Sequence, residues 1–147
     1  MQYSALKAEI QNDPLNAGYS QMSEIQIMDS LNSLTRAKRV LVPLWQIKRH
    51  AIENGYWVAL RAAAVDTNSP IYTVAVLTVD YISDERFDNL DMDLTSTQTL
   101  LGGLVAGGIL TQAQADELDA MGDTFESRAT ELGLPTVNLG HLEIVRG

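Results

Sequence analysis

The amino-acid sequence predicts an all-α fold, a compact single-domain helical bundle over residues 1–147 built from about six to eight short helices. Three observations predict it. Apolar residues recur at helical spacing along most of the chain. From Leu94 to Gly133, helix starts, a small polar residue followed three positions later by Gln or Glu, and helix stops, Gly or Pro, stand at nearly every boundary. A chain of 147 residues with 46% hydrophobic content is also large enough to bury a core without disulfides, and it holds no cysteine.

Taken in order, Tyr3 to Gln11 reads as a short amphipathic helix with Leu6 and Ile10 on one face, ended by Asn12-Asp13-Pro14. Leu15 to Gln21 is a loop. Ser23 and Gln26 have capping-box spacing, and Ile25, Met28, Leu31 and Leu34 mark the inner face of a second helix. Near 39–42 the apolar run Val40 to Val42 reads as a short extended segment. Pro43 then opens a helix to Asn54 with Leu44, Ile47 and Ala51 inward, stopped by Gly55. Tyr56 to Val65 continues as helix, anchored by Trp57 and Leu60.

Ser69 and Pro70 head a segment to Ile82 whose β-branched residues, Ile71, Val74, Val76, Val79 and Ile82, favour strand. Its length and leading proline favour helix, which we expect over 70–82. Asp84 to Asp93 is an acidic loop with Phe87 and Leu90 as anchors.

The stretch Leu94 to Gly133 carries the densest signals. Thr95 and Gln98 are spaced as a capping box before the face Leu100, Leu101, Leu104 and Val105, and Gly107-Gly108 stop that helix. Thr111 and Gln114 repeat the box ahead of Ala115, Leu118 and Met121. Asp123 and Glu126 start a third helix with Phe125, Ala129 and Leu132 inward, ended by Gly133 and Pro135. Gly102 and Gly103 inside the first of these helices each cost roughly 1 kcal/mol relative to alanine, which close helix packing would offset. Residues 135–137 read as extended, and Asn138 to Arg146 as a closing helix with Leu139, Leu142 and Val145 inward.

The net charge of −9 is unevenly placed: residues 1–79 hold seven Lys/Arg against six Asp/Glu, and residues 80–147 three against thirteen. Such a field disfavours nucleic acid, whose phosphates need Lys and Arg. The basic residues concentrate in Arg36, Lys38, Arg39, Lys48 and Arg49, with no acid between 36 and 50. Trp45 beside them invites a base-stacking reading, but one ring and five charges equally describe a core anchor with a solvated flank. The opposing acidic group is Asp84, Glu85, Asp88, Asp91 and Asp93. These ten residues are the candidate partner-binding set.

No motif for catalysis, cofactor or metal is present. Asp91, Asp93 and Thr95 share the alternating oxygens of a calcium loop, yet Ser96 stands where its glycine belongs and Gly102 where its glutamate belongs. His141 and Glu143 have the spacing of a zinc deaminase without its cysteines. No nucleophile elbow or H-E-x-x-H appears. No apolar run reaches the roughly 20 residues of a membrane helix, and a basic-then-apolar leader is absent.

Several pieces of the chain are similar to small proteins encoded among the virion genes of tailed bacteriophages: Leu6-Lys7-Ala8-Glu9-Ile10 with Asn12-Asp13-Pro14-Leu15 and Gly18-Tyr19, Leu31-Asn32, Gly107-Gly108-Ile109-Leu110-Thr111, Ser127-Arg128-Ala129 and Glu131-Leu132-Gly133 before His141. These are caps and core positions, so they specify a fold more than an activity. The resemblance implies a non-enzymatic head, neck or tail component, made in the host cytoplasm and held in the virion by contacts with other phage virion proteins in a homo-oligomer or ring. The alternative is an acidic phage accessory protein that inhibits a host nucleic-acid-binding defence complex, for which the acidic half is the warrant.

Overall fold

The computed structural model describes all residues, Met1–Gly147. In chain order the elements are α1 (Tyr3–Asn12), a single 3-10 turn (Tyr19–Gln21), α2 (Glu24–Asn32), β1 (Leu34–Arg39), β2 (Val42–Pro43), α3 (Leu44–Glu53) and α4 (Tyr56–Ala63). There follow α5 (Tyr72–Ser83), β3 (Asn89–Leu90), α6 (Thr95–Ala106), α7 (Gln112–Ala120), β4 (Asp123–Ser127), α8 (Arg128–Glu131) and α9 (Leu139–Arg146). The chain is mostly helical, 58% helix with 10% strand, so the all-α expectation is corrected to mostly α with two small sheets. No helix is long and apolar enough to cross a membrane.

The chain divides into two compact units, Met1–Lys38 with Phe125–Gly147, and Arg39–Thr124. It leaves the first along β1 and re-enters it along β4, which pair as a two-stranded sheet.

In the first unit Leu6, Tyr19, Ile27, Leu31, Ala129, Leu134, Val137 and Leu142 form the core. α1 ends where Asp13 takes a left-handed conformation, φ 42°, which the short polar side chain tolerates. Its carboxylate then accepts the Ala17 and Gly18 amides at 2.6 and 2.7 Å, turning the loop toward Tyr19. The expected Ser23–Gln26 box caps α2. Its inner face differs from the expected one: Ile27 and Leu31 are buried, whereas Ile25 and Leu34 are exposed. Residues 135–137, expected as extended, join no sheet; Asn32 instead holds Val137 through its side-chain amide, donating to the carbonyl at 2.7 Å and accepting the amide at 2.9 Å.

The third helix expected from Asp123 is a strand as far as Ser127, and the helical residues shrink to α8. The reason is non-local: β1, more than 80 residues earlier, supplies a partner strand. Phe125, expected inward, is consequently exposed. Ser127 caps α8 in place of Asp123, accepting the Thr130 amide at 3.1 Å. α9 is capped by Asn138, whose side chain accepts the His141 amide, and buries Leu142 but leaves Leu139 exposed.

The second unit has its own core, including Val42, Leu44, Ile47, Ala51, Leu60, Ala75, Met92, Leu104, Leu110 and Leu118. The inner stripe expected for α3 is buried as expected. Its N-terminus is fixed by β2 pairing antiparallel with β3, Val42 opposite Leu90, and by the Leu44 amide donating to the Asp88 carbonyl at 2.9 Å. The β-branched segment is helical as α5, and α6 packs along it. That packing depends on glycine: a Cβ on Gly103 would stand 3.2 Å from both Val74 methyls, and one on Gly107 would collide with the Ile71 side chain. The Thr111–Gln114 box caps α7 as expected. Thr95 and Gln98 form none, because Thr95 is already helical and the Gln98 side-chain Nε2 donates to the Met92 carbonyl at 2.6 Å and to Asp119 at 3.1 Å.

Candidate functional site

Of the ten candidate residues, most of the charges are spent within the chain. Arg36 binds Glu131, Nε to Oε2 at 2.7 Å, and Lys38 reaches Glu126 at 3.2 Å. Arg39 is the most connected cation: it meets Asp93 at 3.1 Å, Asp119 at 3.0 Å and Asp123 at 2.7 Å, and donates to the Asp119 carbonyl at 2.9 Å. Gly122 leaves room for this guanidinium, since a Cβ there would lie 2.9 Å from its central carbon. Arg49 pairs with Glu53 one turn on, at 2.8 Å. Asp84 pairs with Arg86 at 2.7 Å, and that guanidinium holds the Asp84 carboxyl below its ordinary range.

Only Arg39 and Asp93 join the basic and acidic groups of the candidate set. Lys48 forms no ion pair; its ammonium lies 5.3 Å from the centre of the Trp57 ring, a cation–π contact that links α3 to α4. Glu85, Asp88 and Asp91 are not ion-paired. The partners that sequence reasoning missed, Asp119, Asp123, Glu126 and Glu131, lie 80 to 95 residues from their cations, beyond any local spacing rule.

The outer side of α3 carries Trp45, Lys48, Arg49 and Ile52, a spacing that places them on one helical face. Trp45 and Ile52 are 60% and 56% exposed although both are large and apolar. On α4, Val58 is 76% exposed beside Arg61, and Val65 in the turn that follows is 81% exposed. Each helix thus presents apolar groups flanking cations, and Lys48 over Trp57 joins the two. Trp45, Arg49, His50, Glu53 and Met121 line a shallow depression of about 220 Å³ along this face.

Beneath it runs a hydrogen-bonded chain that no sequence motif indicated. The buried His50 ring meets the Tyr56 hydroxyl through Nδ1 at 2.6 Å and the Glu117 carboxylate through Nε2 at 2.8 Å. A carboxylate can only accept, so in the neutral ring Nε2 carries the proton and Nδ1 accepts from Tyr56. Burial, then the Glu117 charge, pushes the Tyr56 phenol up, so the hydroxyl is held as a donor and is poorly suited to act as a phenolate nucleophile. The chain positions the α3–α4 junction. No group of three or more His, Asp or Glu side chains is arranged to hold a metal ion.

No protein-family model, curated protein or solved structure matches this chain.

Proposed function

We propose that the chain is a non-enzymatic, virion-associated structural protein of a tailed bacteriophage, a head, neck or tail component that works through protein–protein contacts in a symmetric assembly. The observation that carries this reading is the outer face of α3 and α4, where Trp45, Ile52, Val58 and Val65 stay exposed around Lys48, Arg49 and Arg61. Aromatic and aliphatic side chains mixed with cations are the composition of contact surfaces, and leaving them in water has no benefit for an isolated chain. The complementary group is Glu85, Asp88 and Asp91 with the exposed Phe87, which a second copy can present.

The inhibitor alternative draws on the second unit's twelve Asp/Glu against five Lys/Arg. Arg39 and Arg86 hold Asp84, Asp93, Asp119 and Asp123 in ion pairs, two cations against four carboxylates, which ties down side chains that a nucleic-acid mimic would display. The assembly reading is therefore preferred.

Quantitative mass spectrometry of purified particles beside the infected-cell lysate tests it. The chain is expected in particles at a fixed copy number that is a multiple of a ring symmetry. Its presence in the lysate alone would overturn the reading.

A further inference from the structure

The second unit contains a cavity of about 110 Å³ within its apolar core, walled by residues of α3, α4, α5 and α6. Its lining includes Ala51, Leu60, Thr78, Tyr81, Thr97 and Leu104 and no charged side chain. Its position follows from the glycines. α5 and α6 are in tight contact at Val74 and Gly103, and so are the residues flanking them, Ile71 and Gly107. The cavity begins beyond that contact, among the later residues of α5 and the earlier ones of α6.

The walls are held from outside. Thr78 donates its hydroxyl to the Val74 carbonyl and Thr97 to the Asp91 carbonyl, each at 2.8 Å. The Tyr56 hydroxyl, on the same wall, is bonded to His50, and the Tyr81 ring is stacked on Phe87 at 4.7 Å between centres. These groups cannot fold inward to fill the space without breaking those contacts. With those protons committed, the Thr78, Thr97 and Tyr56 hydroxyls offer an entering water acceptor lone pairs but no donor. Exposed Ser96 lies at the cavity's edge and gives it a route to solvent.

We propose that this cavity is a binding site for a small uncharged apolar molecule, one presenting a single six-membered ring or a short aliphatic segment. The size is the first argument: the space of about 110 Å³ is smaller than, but of the same order as, the roughly 150 Å³ apolar cavity that takes up benzene. Selectivity is the second: a charged ligand would lose its hydration and meet no counter-charge. Binding buries the ring against largely apolar walls and restores packing contacts that the empty walls lack.

Toluene is the probe and benzoate the charged counter-probe, each titrated into the full chain while its thermal midpoint and its amide and methyl NMR spectra are recorded. Toluene is expected to raise the midpoint by roughly 2–5 °C near saturation. Its spectral changes should be confined to Ala51, Leu60, Thr97, Leu104 and their neighbours, with benzoate producing neither effect. Ala51→Leu fills the space and should abolish the toluene response. A flat midpoint with no spectral change, equal responses to toluene and benzoate, or a folded Ala51→Leu chain that still responds would each overturn the site. Should Ala51→Leu not fold, the map on the native chain decides: localised changes support the site, scattered or absent ones overturn it.

Discussion

The Arg128 guanidinium grips the Glu9 carboxylate in a two-pronged contact, Nε to Oε1 and Nη2 to Oε2 both at 2.8 Å, with only 2% of the Glu9 side chain exposed. Two residues 119 positions apart thereby fasten α1 to the start of α8. The Tyr19 hydroxyl adds a longer bond to the same carboxylate at 3.3 Å.

Removing one member of so buried a pair leaves an uncompensated charge. Arg128→Met should destabilise the first unit by about 3 kcal/mol, and adding Glu9→Leu should recover much of that loss. Urea unfolding followed through the methyl signals of Leu6 and Ile27 reads this unit. Additive losses in the double variant would show that the two side chains are not coupled.

Glu131 gives the first unit an acid limit. Hydrogen bonds from Arg36 and then Arg128 bring its carboxyl down to about 2. Because the folded value lies below the unfolded one, near 4.3, the contribution is present above the unfolded value and is lost as pH falls through the folded one. Stability should therefore fall between about pH 5 and pH 2, and Glu131→Gln should flatten that limb. At the alkaline end the sign reverses. Burial, then the Glu9 charge, pushes the Tyr19 phenol up to about 12, so its contribution holds below its ordinary value and fades as pH rises toward 12. Tyr19→Phe should flatten this second limb. Matching pH profiles for either variant and the native chain would contradict the assignment.

Arg39 sits among three carboxylates, so removing it should do more than delete an ion pair. In Arg39→Gln, Asp93, Asp119 and Asp123 would face one another without their cation, and the Asp119 carbonyl would lose a donor. The second unit should unfold at lower temperature, and added salt should restore part of the loss by screening the repulsion. Trp45 and Trp57 both lie in this unit, so tryptophan fluorescence reports it directly. A loss indifferent to salt would mean that repulsion is not its cause.

What could be read from the sequence was local. The Ser23–Gln26 and Thr111–Gln114 caps need only residues three apart, and the α3 stripe Leu44, Ile47 and Ala51 is a periodicity within one helix. The misread elements are those decided at a distance. Asp123 to Ser127 carries helix-start residues, yet β1 supplies a strand partner; Thr95 and Gln98 have the spacing of a cap, yet Met92 and Asp119 offer Gln98 better acceptors. α5 shows the opposite outcome, its β-branched residues overruled by helix packing against the glycines of α6. The internal partners of the basic stretch are illegible for the same reason: its acids are remote in sequence, and only Arg49 finds a partner within one helical turn.

Those α6 glycines separate conformational cost from contact. A Cβ on Gly102 meets nothing within 4 Å, and the residue lies inside a regular helix. Gly102→Ala should stabilise the chain by about 0.5–1 kcal/mol. Gly107→Ala drives a methyl into Ile71 and should cost about 1–3 kcal/mol, partly relieved by Ile71→Ala. Stabilisation at both positions would show that helix propensity outweighs the contact with Ile71.

The outer face of α3 offers the cleanest division between folding and association. Trp45 and Ile52 are exposed, so replacing both with serine removes little buried area, and the thermal midpoint of the isolated chain should stay nearly unchanged. If the face is a contact, the same changes strip its largest apolar groups and should abolish association with the virion partner or with a second copy. Lys48→Glu with Arg49→Glu should weaken association by a different route, placing like charges opposite Glu85, Asp88 and Asp91 and making the residual binding recover with salt. Light scattering and particle incorporation read both variants. Loss in the serine pair with salt-dependent loss in the glutamate pair would assign the face both apolar and charge contacts, whereas full incorporation of both would move the interface elsewhere on the chain.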